Sequence, residues 1–592
     1  MSRAAVVIFA LMGAVGLLAS WYISKQVQPV VAVLEGPPPT DPSTEKPAGK
    51  LVVLVVFDQM RGDYLTKWAR HFESNGFERI KREGVWYSNV HIPYACTSTG
   101  PGHASLVSGA PPSITGIIEN EWWDRAAAKR MYCCQPTHPF ELVPPPPTDG
   151  AKISRGADTG FSPERLLAET VGDKLKAATA GKGRVVSLSI KDRTAVLMGG
   201  QKPDAAYCFD TRDGLFHTGA YYRDQVHPWV GEFNTTHPAD RWFNLKWERV
   251  RPELNYTEIT GNPDDAPGEG GGFNGQGNVF PHSYKGKLTA RAKAYYDAIE
   301  CSPAGNEILL ELAKKAVTAE KLGQGETADL LCLSFSSNDL IGHMYGPDSW
   351  EVLDITLRSD KLIADLLAFL DTTVGRSRFS LVISADHGVC PLPEQKQFPD
   401  AQRIPVTAVY KPLTESLNVA FEPKVPDGPG LETQWFDISD PRDLDRVWPW
   451  VYLNYPAIKG RGLTPEAVSI AVRDWLIKQP YIETAFTKQQ VELEAFSPDS
   501  FGAKVKLAYH PDRCGDVIAV PKAGVLITGY STGTNHGSPR SYDTHVPVIA
   551  TGAGVPALGK QPERMSSLIV APILARGLGI DPPARAVEKL PY

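Results

Sequence analysis

An α/β fold, with an open, mostly parallel sheet flanked by helices, is predicted by three features of this 592-residue sequence. Short apolar runs rich in β-branched residues recur along the chain, and helix-period segments separate them. Polar residues with catalytic chemistry directly follow all but the last of these runs, at what would be the carboxyl ends of strands, where open α/β sheets bind their ligands. Hydrophobic residues make up 42% of the chain and charged residues 22%, enough for a packed core.

The runs Leu51–Phe57, Val185–Ile190, Leu330–Phe335, Phe379–Ser384 and Val546–Thr551 are nearly continuous in hydrophobicity, as strands covered on both faces are. All five are expected to lie parallel. Between them, Val352–Leu370 places Leu353, Leu357, Leu366 and Leu370 at helical spacing. Two stretches, 201–297 and 391–525, lack this alternation and are expected to be irregular insertions that wall a site within one catalytic domain, 51–592. The net charge of -6, with both signs mixed along the chain, offers no basic footprint, so nucleic acid is not an expected partner.

The N-terminus adds a separate expectation. Arg3 precedes an apolar run from Ala4 to Ile23, long enough to cross the ~30 Å hydrocarbon core. Residues 1–25 therefore read as a signal anchor or signal peptide, which places the rest of the chain on the periplasmic or extracellular side. The Pro-rich segment 26–50 reads as a tether. Eight cysteines permit disulfides in an exported chain, but no CxxC pair offers thiolates to a metal. Any metal must be held by histidines and carboxylates.

Such residues cluster at the run ends. Asp58 ends the first run; Asp339 and His343 stand four apart in SFSSNDLIGHM, on one face of a helical turn. Asp386 and His387 end the fourth run, and His536 lies in GTNHGSPR. Singly, each is an ordinary turn cap or structural histidine. Together they supply two three-ligand sites, each with the open position that catalysis needs. In TSTGPGHASL, Thr99 stands where a helix begins, Gly100 allows close approach of an anion, and Pro101 suits a first turn. A phosphate beside Thr99 would meet free N–H groups and the helix dipole. Lys191 and Arg193, in a K-x-R after the second run, fall on one side of an extended segment and match phosphoryl oxygens, and Asn120 supplies an amide donor.

The blocks VVFDQMRGDYL, TSTGPGHASL, GIIENEWWD, SIKDR, SFSSNDLIGH, SADHG and GTNHGSPRSYDTHVP resemble the PafA/PhoK-type bacterial alkaline phosphatases, relatives of the nucleotide pyrophosphatase/phosphodiesterases. The resemblance implies an alkaline phosphatase-like fold and a phosphomonoesterase with two zinc ions. It assigns one ion to Asp339, His343 and His536 and the other to Asp58, Asp386 and His387, with Thr99 as nucleophile bridging towards the second. It gives the phosphate contacts to Asn120, Lys191 and Arg193, with the Gly100 N–H beside them. His103 and His545, inside matching blocks, read as structural. The implied substrates are small phosphate monoesters and the implied state a monomer.

Three other functions are open to the same residues. A phosphodiesterase on this fold would carry a second organic group where the K-x-R charge sits. A sulfatase would need a Cys or Ser followed by Pro and Arg, and Cys96-Thr97-Ser98-Thr99-Gly100 offers neither. A non-catalytic envelope protein would be expected to have lost a ligand or the nucleophile, and none is missing.

Overall fold

The computed structural model of the chain describes residues 48–147, 160–421 and 434–592. The apolar run 4–23 and most of the Pro-rich tether lie outside the described residues. Among those described, no helix is long and apolar enough to cross a membrane. The last tether residues already belong to the body, since the Gly49 N–H donates to the Gly577 carbonyl at 2.8 Å.

Ten strands form the main sheet: β1 (Leu51–Phe57), β2 (Val85–His91), β3 (Leu142–Val143), β4 (Val185–Ser189), β5 (Ala205–Asp210), β6 (Leu215–Gly219), β7 (Asp329–Phe335), β8 (Phe379–Ser384), β9 (His545–Gly552) and β10 (Gly559–Ser566). Their order is β10-β2-β9-β8-β1-β7-β4-β5-β6-β3. The block β8-β1-β7-β4-β5 is parallel throughout. Every residue of β1, β7 and β8 is buried, which explains their continuous apolar runs. Burying one Val or Leu contributes about 1.5–3 kcal/mol. Phe57 stacks on Phe335 at 5.2 Å across the β1–β7 pair, and the helix Val570–Leu578 covers β1 and β8.

Two expectations need correction. The fifth run is antiparallel: β9 pairs with β8 through Ser384↔Val548 and Ser380↔Gly552. A buried strand looks the same in either direction, because burial fixes its hydrophobicity and not its polarity. The reversal also has a use, since β9 starts at the edge where the parallel strands end and so delivers the loop that precedes it there. The stretches 201–297 and 391–525 are also less irregular than expected. β5 and β6 extend the main sheet from inside the first. Within the second, Trp450–Val451, Ile482–Thr487 and Val517–Pro521 form an antiparallel three-stranded sheet, packed against the helix Pro465–Leu476. The alternating pattern of Ile482–Thr487 is a half-buried one, which a search for continuous apolar runs passes over.

Candidate active site

Three helices carry the chain away from the strand ends, α1 (Thr99–Ser108), α2 (Asp192–Gly199) and α3 (Ser337–Tyr345), and α4 (Trp350–Leu370) follows α3. Asp58 directly follows β1, α3 follows β7 with Asp339 and His343, and Asp386-His387 follow β8. The loop before β9 carries His536. Side chains scattered over nearly 480 positions thus meet at one edge of the sheet. A cleft of about 660 Å³ opens there, lined by Thr99, Asn120, Arg193, Asp339, His343 and His536. Asp58, Asp386, His387 and Lys191 are buried beside it.

Two donor groups are compact: Asp58, Asp386 and His387, and Asp339, His387 and His536, each with three atoms within 4.8 Å of one another. The first is the expected set. In the second, His387 stands where His343 was expected, and His343 joins through Asp339, its Nε2 lying 3.2 Å from Asp339 Oδ1. The rings of His387 and His536 stack at 3.6 Å, and His387 is common to both groups.

These residues fit a metal. Asp58 Oδ1 and Asp386 Oδ2 are buried with no hydrogen-bond partner, an expensive state for a carboxylate unless a cation faces it. His103 Nδ1 lies 3.2 Å from Asp386 Oδ2, but its hydrogen bond goes to the Thr99 carbonyl at 2.9 Å. The three candidate ligand histidines share one arrangement. Nδ1 of His343, His387 and His536 donates to the carbonyls of Thr534, Gly388 and Thr97 at 2.8, 2.9 and 2.8 Å. That fixes each ring and turns a lone pair on Nε2 toward the cluster, as metal-binding histidines require. Burial pushes His387 and His536 below the ordinary imidazole range, so both stay neutral. Burial also raises Asp58, helped by Asp386, whereas His343 and Lys191 overcome the burial of Asp339 and hold it low.

Thr99 is the first residue of α1 and is 1% exposed. Its Oγ1 lies 3.4 Å from both His387 Nε2 and Arg193 Nη2. Ser98, not Thr99, is the cap residue of the helix. Gly102 lets α1 approach β8, because a Cβ there would meet the Asp386 carbonyl at 2.4 Å. Asn120 is held by its oxygen, which accepts the Gly100 N–H at 2.7 Å. That bond occupies the Gly100 N–H expected to face phosphate, and it leaves the Asn120 amide donor as the group to offer instead.

The K-x-R pair is built differently from the expected extended segment. Lys191 is the cap residue of α2 and Arg193 sits in its first turn. Lys191 Nζ lies 2.7 Å from Asp58 Oδ2 and 2.6 Å from Asp339 Oδ2, joining one carboxylate of each donor group. Arg193 is the guanidinium that faces Thr99.

Two functional neighbours escaped the sequence. Gln59 has φ 71, a left-handed conformation rare for a side chain of this size. Its N–H donates to Asp386 Oδ1 at 3.1 Å and its Nε2 to Asp339 Oδ1 at 2.7 Å, so one residue orients both groups. Gly342 makes room for it, since a Cβ there would lie 1.9 Å from Gln59 Oε1. His103 braces α1 from within, with Nε2 on Ser334 Oγ at 2.9 Å. His545 stacks on His91 in the sheet.

Glu119 is the second. It lines the cleft, accepts the Ser98 hydroxyl at 2.5 Å, and is pushed up to about 7 by burial. A carboxyl raised from 4.5 to about 7 contributes stability that is full below 4.5 and lost as pH rises through 7. The loss is about 3 kcal/mol at most. Glu119→Gln removes this dependence. Its Tm relative to wild type is expected to become more favourable between pH 5 and pH 8.5, and a difference that is flat or falls would contradict the assignment.

The comparisons with known proteins agree with this geometry. The family model for type I phosphodiesterase / nucleotide pyrophosphatase matches residues 52–546. The chain is 32% identical over 543 residues to alkaline phosphatase PhoV of Synechococcus elongatus, covering 91% of this chain and 92% of PhoV. It is 30% identical over 544 residues to alkaline phosphatase PafA of Elizabethkingia meningoseptica, covering 92% and 94%. The crystal structure of wild-type PafA matches with a TM-score of 0.80 at 29% identity, over 92% of this chain and 98% of that one. All eight cysteines are buried and free in this structure. The chain belongs to the type I phosphodiesterase / nucleotide pyrophosphatase family and is an enzyme of its alkaline phosphatase group, alongside PhoV and PafA.

Proposed function

We propose that the protein hydrolyses small phosphate monoesters through a phospho-threonine at Thr99, at a site that binds two zinc ions. The observation that carries this reading is the meeting of Thr99 Oγ1, the Arg193 guanidinium and His387 Nε2 at the start of α1, above two buried donor groups. Asp58, Asp386 and His387 would hold one ion, and Asp339, His536 and His343, which reaches that group through Asp339, would hold the other. When bound, zinc supplies Lewis acidity that makes the Thr99 hydroxyl easier to ionise and offsets charge on the departing oxygen.

The chain's own residues do the rest. The N-terminus of α1 directs its dipole at the phosphoryl group beside Thr99. Arg193 grips two equatorial oxygens through its planar fork, and the Asn120 amide donates to a third. Lys191 supplies a further positive charge, shared with Asp58 and Asp339, next to a dianionic ester. Gln59 holds a carboxylate of each donor group in place. Thr99 attacks in line, the leaving alcohol departs on the opposite side, and water then cleaves the phospho-threonine in a second in-line step.

A diesterase reading rests on the family description, and Arg193 with Lys191 argues against it, since a diester lacks the charged oxygen they would meet. We further propose export of the catalytic body by the run 4–23, as a membrane-tethered or secreted monomer. Metal removal tests the core of the proposal. Prolonged dialysis against a zinc chelator is expected to abolish monoesterase activity, and zinc to restore it as occupancy approaches two ions per chain. Full activity in protein stripped of metal would overturn it.

A further inference from the structure

One hydroxyl ties together Asn120 and Arg193, the two groups that the proposed chemistry turns on the phosphoryl oxygens. A hairpin of two short strands, Glu121–Asp124 and Lys129–Tyr132, starts directly after Asn120 and returns beside it. Glu121 pairs with Tyr132 across the hairpin, and the Cys133 N–H donates to the Asn120 carbonyl at 2.9 Å. The backbone thus fixes Tyr132 next to Asn120. Tyr132 is 8% exposed and lines the cleft.

The Tyr132 side chain reaches the other element. Its hydroxyl donates to Asp192 Oδ1 at 2.5 Å, and the same oxygen accepts the Arg193 N–H at 2.7 Å. Asp192 lies in the first turn of α2, where a carboxylate also meets the positive end of the helix dipole. Burial, and then Asp192, push the Tyr132 hydroxyl well above its ordinary range, so it remains a donor. Burial would lower Arg193, and Tyr132 and Asp192 do most to keep it charged.

The guanidinium is left open at its own end. Its Nε is buried with no hydrogen-bond partner, and Nη2 lies 3.4 Å from Thr99 Oγ1. The fork is therefore available to oxygens of a phosphoryl group, and its place is set from the backbone side. A cavity of about 30 Å³, lined in part by Lys191, Asp192 and Arg193, adjoins this turn and gives it room to shift.

We propose that Tyr132 is a positioning residue: through Asp192 it holds the first turn of α2, and with it the Arg193 guanidinium, at a fixed distance from Asn120. The inference rests on the reading of Arg193 and Asn120 as phosphate contacts. A misplacement of about 1 Å in such a group can cost about 10²-fold in rate. A short hydrogen bond to a charged acceptor is a strong and directional way to prevent it.

The test is a double-mutant cycle on the full, zinc-loaded chain, with an aryl phosphate monoester as substrate and inorganic phosphate as competitive inhibitor. Tyr132→Phe removes only the hydroxyl. It is expected to lower kcat/KM by about ten- to a hundredfold and to weaken inhibition by phosphate at least about threefold, with zinc content unchanged. In an Arg193→Ala background the same substitution is expected to cost at most about twofold, because the group it positions is gone. Added to Asp192→Ala, which already breaks the link, it is likewise expected to cost no more than about twofold. An undiminished loss in either background overturns the proposal, as does a Tyr132→Phe enzyme with wild-type kinetics. A large loss in Arg193→Ala with an additive Tyr132→Phe sinks the positioning role alone, whereas Arg193→Ala without loss removes the phosphate-contact reading as well.

Discussion

Thr99→Ala is expected to lower kcat/KM for an aryl phosphate monoester by at least about 10⁴-fold, a loss of about 5.5 kcal/mol of transition-state stabilisation. The expectation rests on position. Thr99 Oγ1 is the hydroxyl of the Thr-Ser-Thr cluster that lies 3.4 Å from both Arg193 and His387. Thr97 donates to the Ser538 carbonyl at 2.9 Å and Ser98 to Glu119, so both neighbouring hydroxyls are engaged elsewhere. The substitution removes no cap hydrogen bond from α1, and Tm is expected to move little. Steady-state kinetics with zinc content measured on the same sample checks it. A variant with unchanged zinc and near-normal turnover would remove Thr99 from the chemistry.

Arg193→Ala is the second large effect, and it separates ester classes. A monoester dianion presents one more charged oxygen than a diester does, and Arg193 is the buried guanidinium placed to meet it. Loss of one such preorganised donor lowers turnover by about 10²–10³-fold. The expected loss is of that size on an aryl monoester and at most a few-fold on the matched diester. Lys191→Ala is less easily read alone, because Lys191 also pairs with Asp58 and Asp339. Removing one partner of a buried ion pair costs about 3–5 kcal/mol. The double variant therefore serves as a ratio, monoester against diester, and equal losses on the two would contradict the monoesterase reading.

Much of this site was legible because its chemistry sits where the strand pattern breaks. Asp58, Asp339 and Asp386 follow runs whose continuous burial marks them as central strands, and topology then brings the three strand ends together. The direction of β9 was not legible, since a buried strand has no sequence mark of polarity. Nor was the placement of Lys191 and Arg193 on α2, because three residues after a strand fit an extended segment and a helix start equally well. Gln59 was hidden for a different reason. Its role depends on a left-handed backbone at one position and on the space left by Gly342, more than 280 residues away, and neither shows in a local pattern. The paired histidine–carbonyl bonds that orient His343, His387 and His536 are equally invisible, because the acceptors are main-chain groups.

Phosphate is expected to leave its ester through Thr99 and not directly to water. Stereochemistry at phosphorus tests this most directly. A phosphorothioate monoester made chiral with oxygen isotopes would be hydrolysed by the wild-type enzyme in isotopically labelled water, and the configuration of the product determined. Two in-line displacements, through phospho-threonine, predict net retention. Net inversion would mean a single displacement by water and would contradict the account.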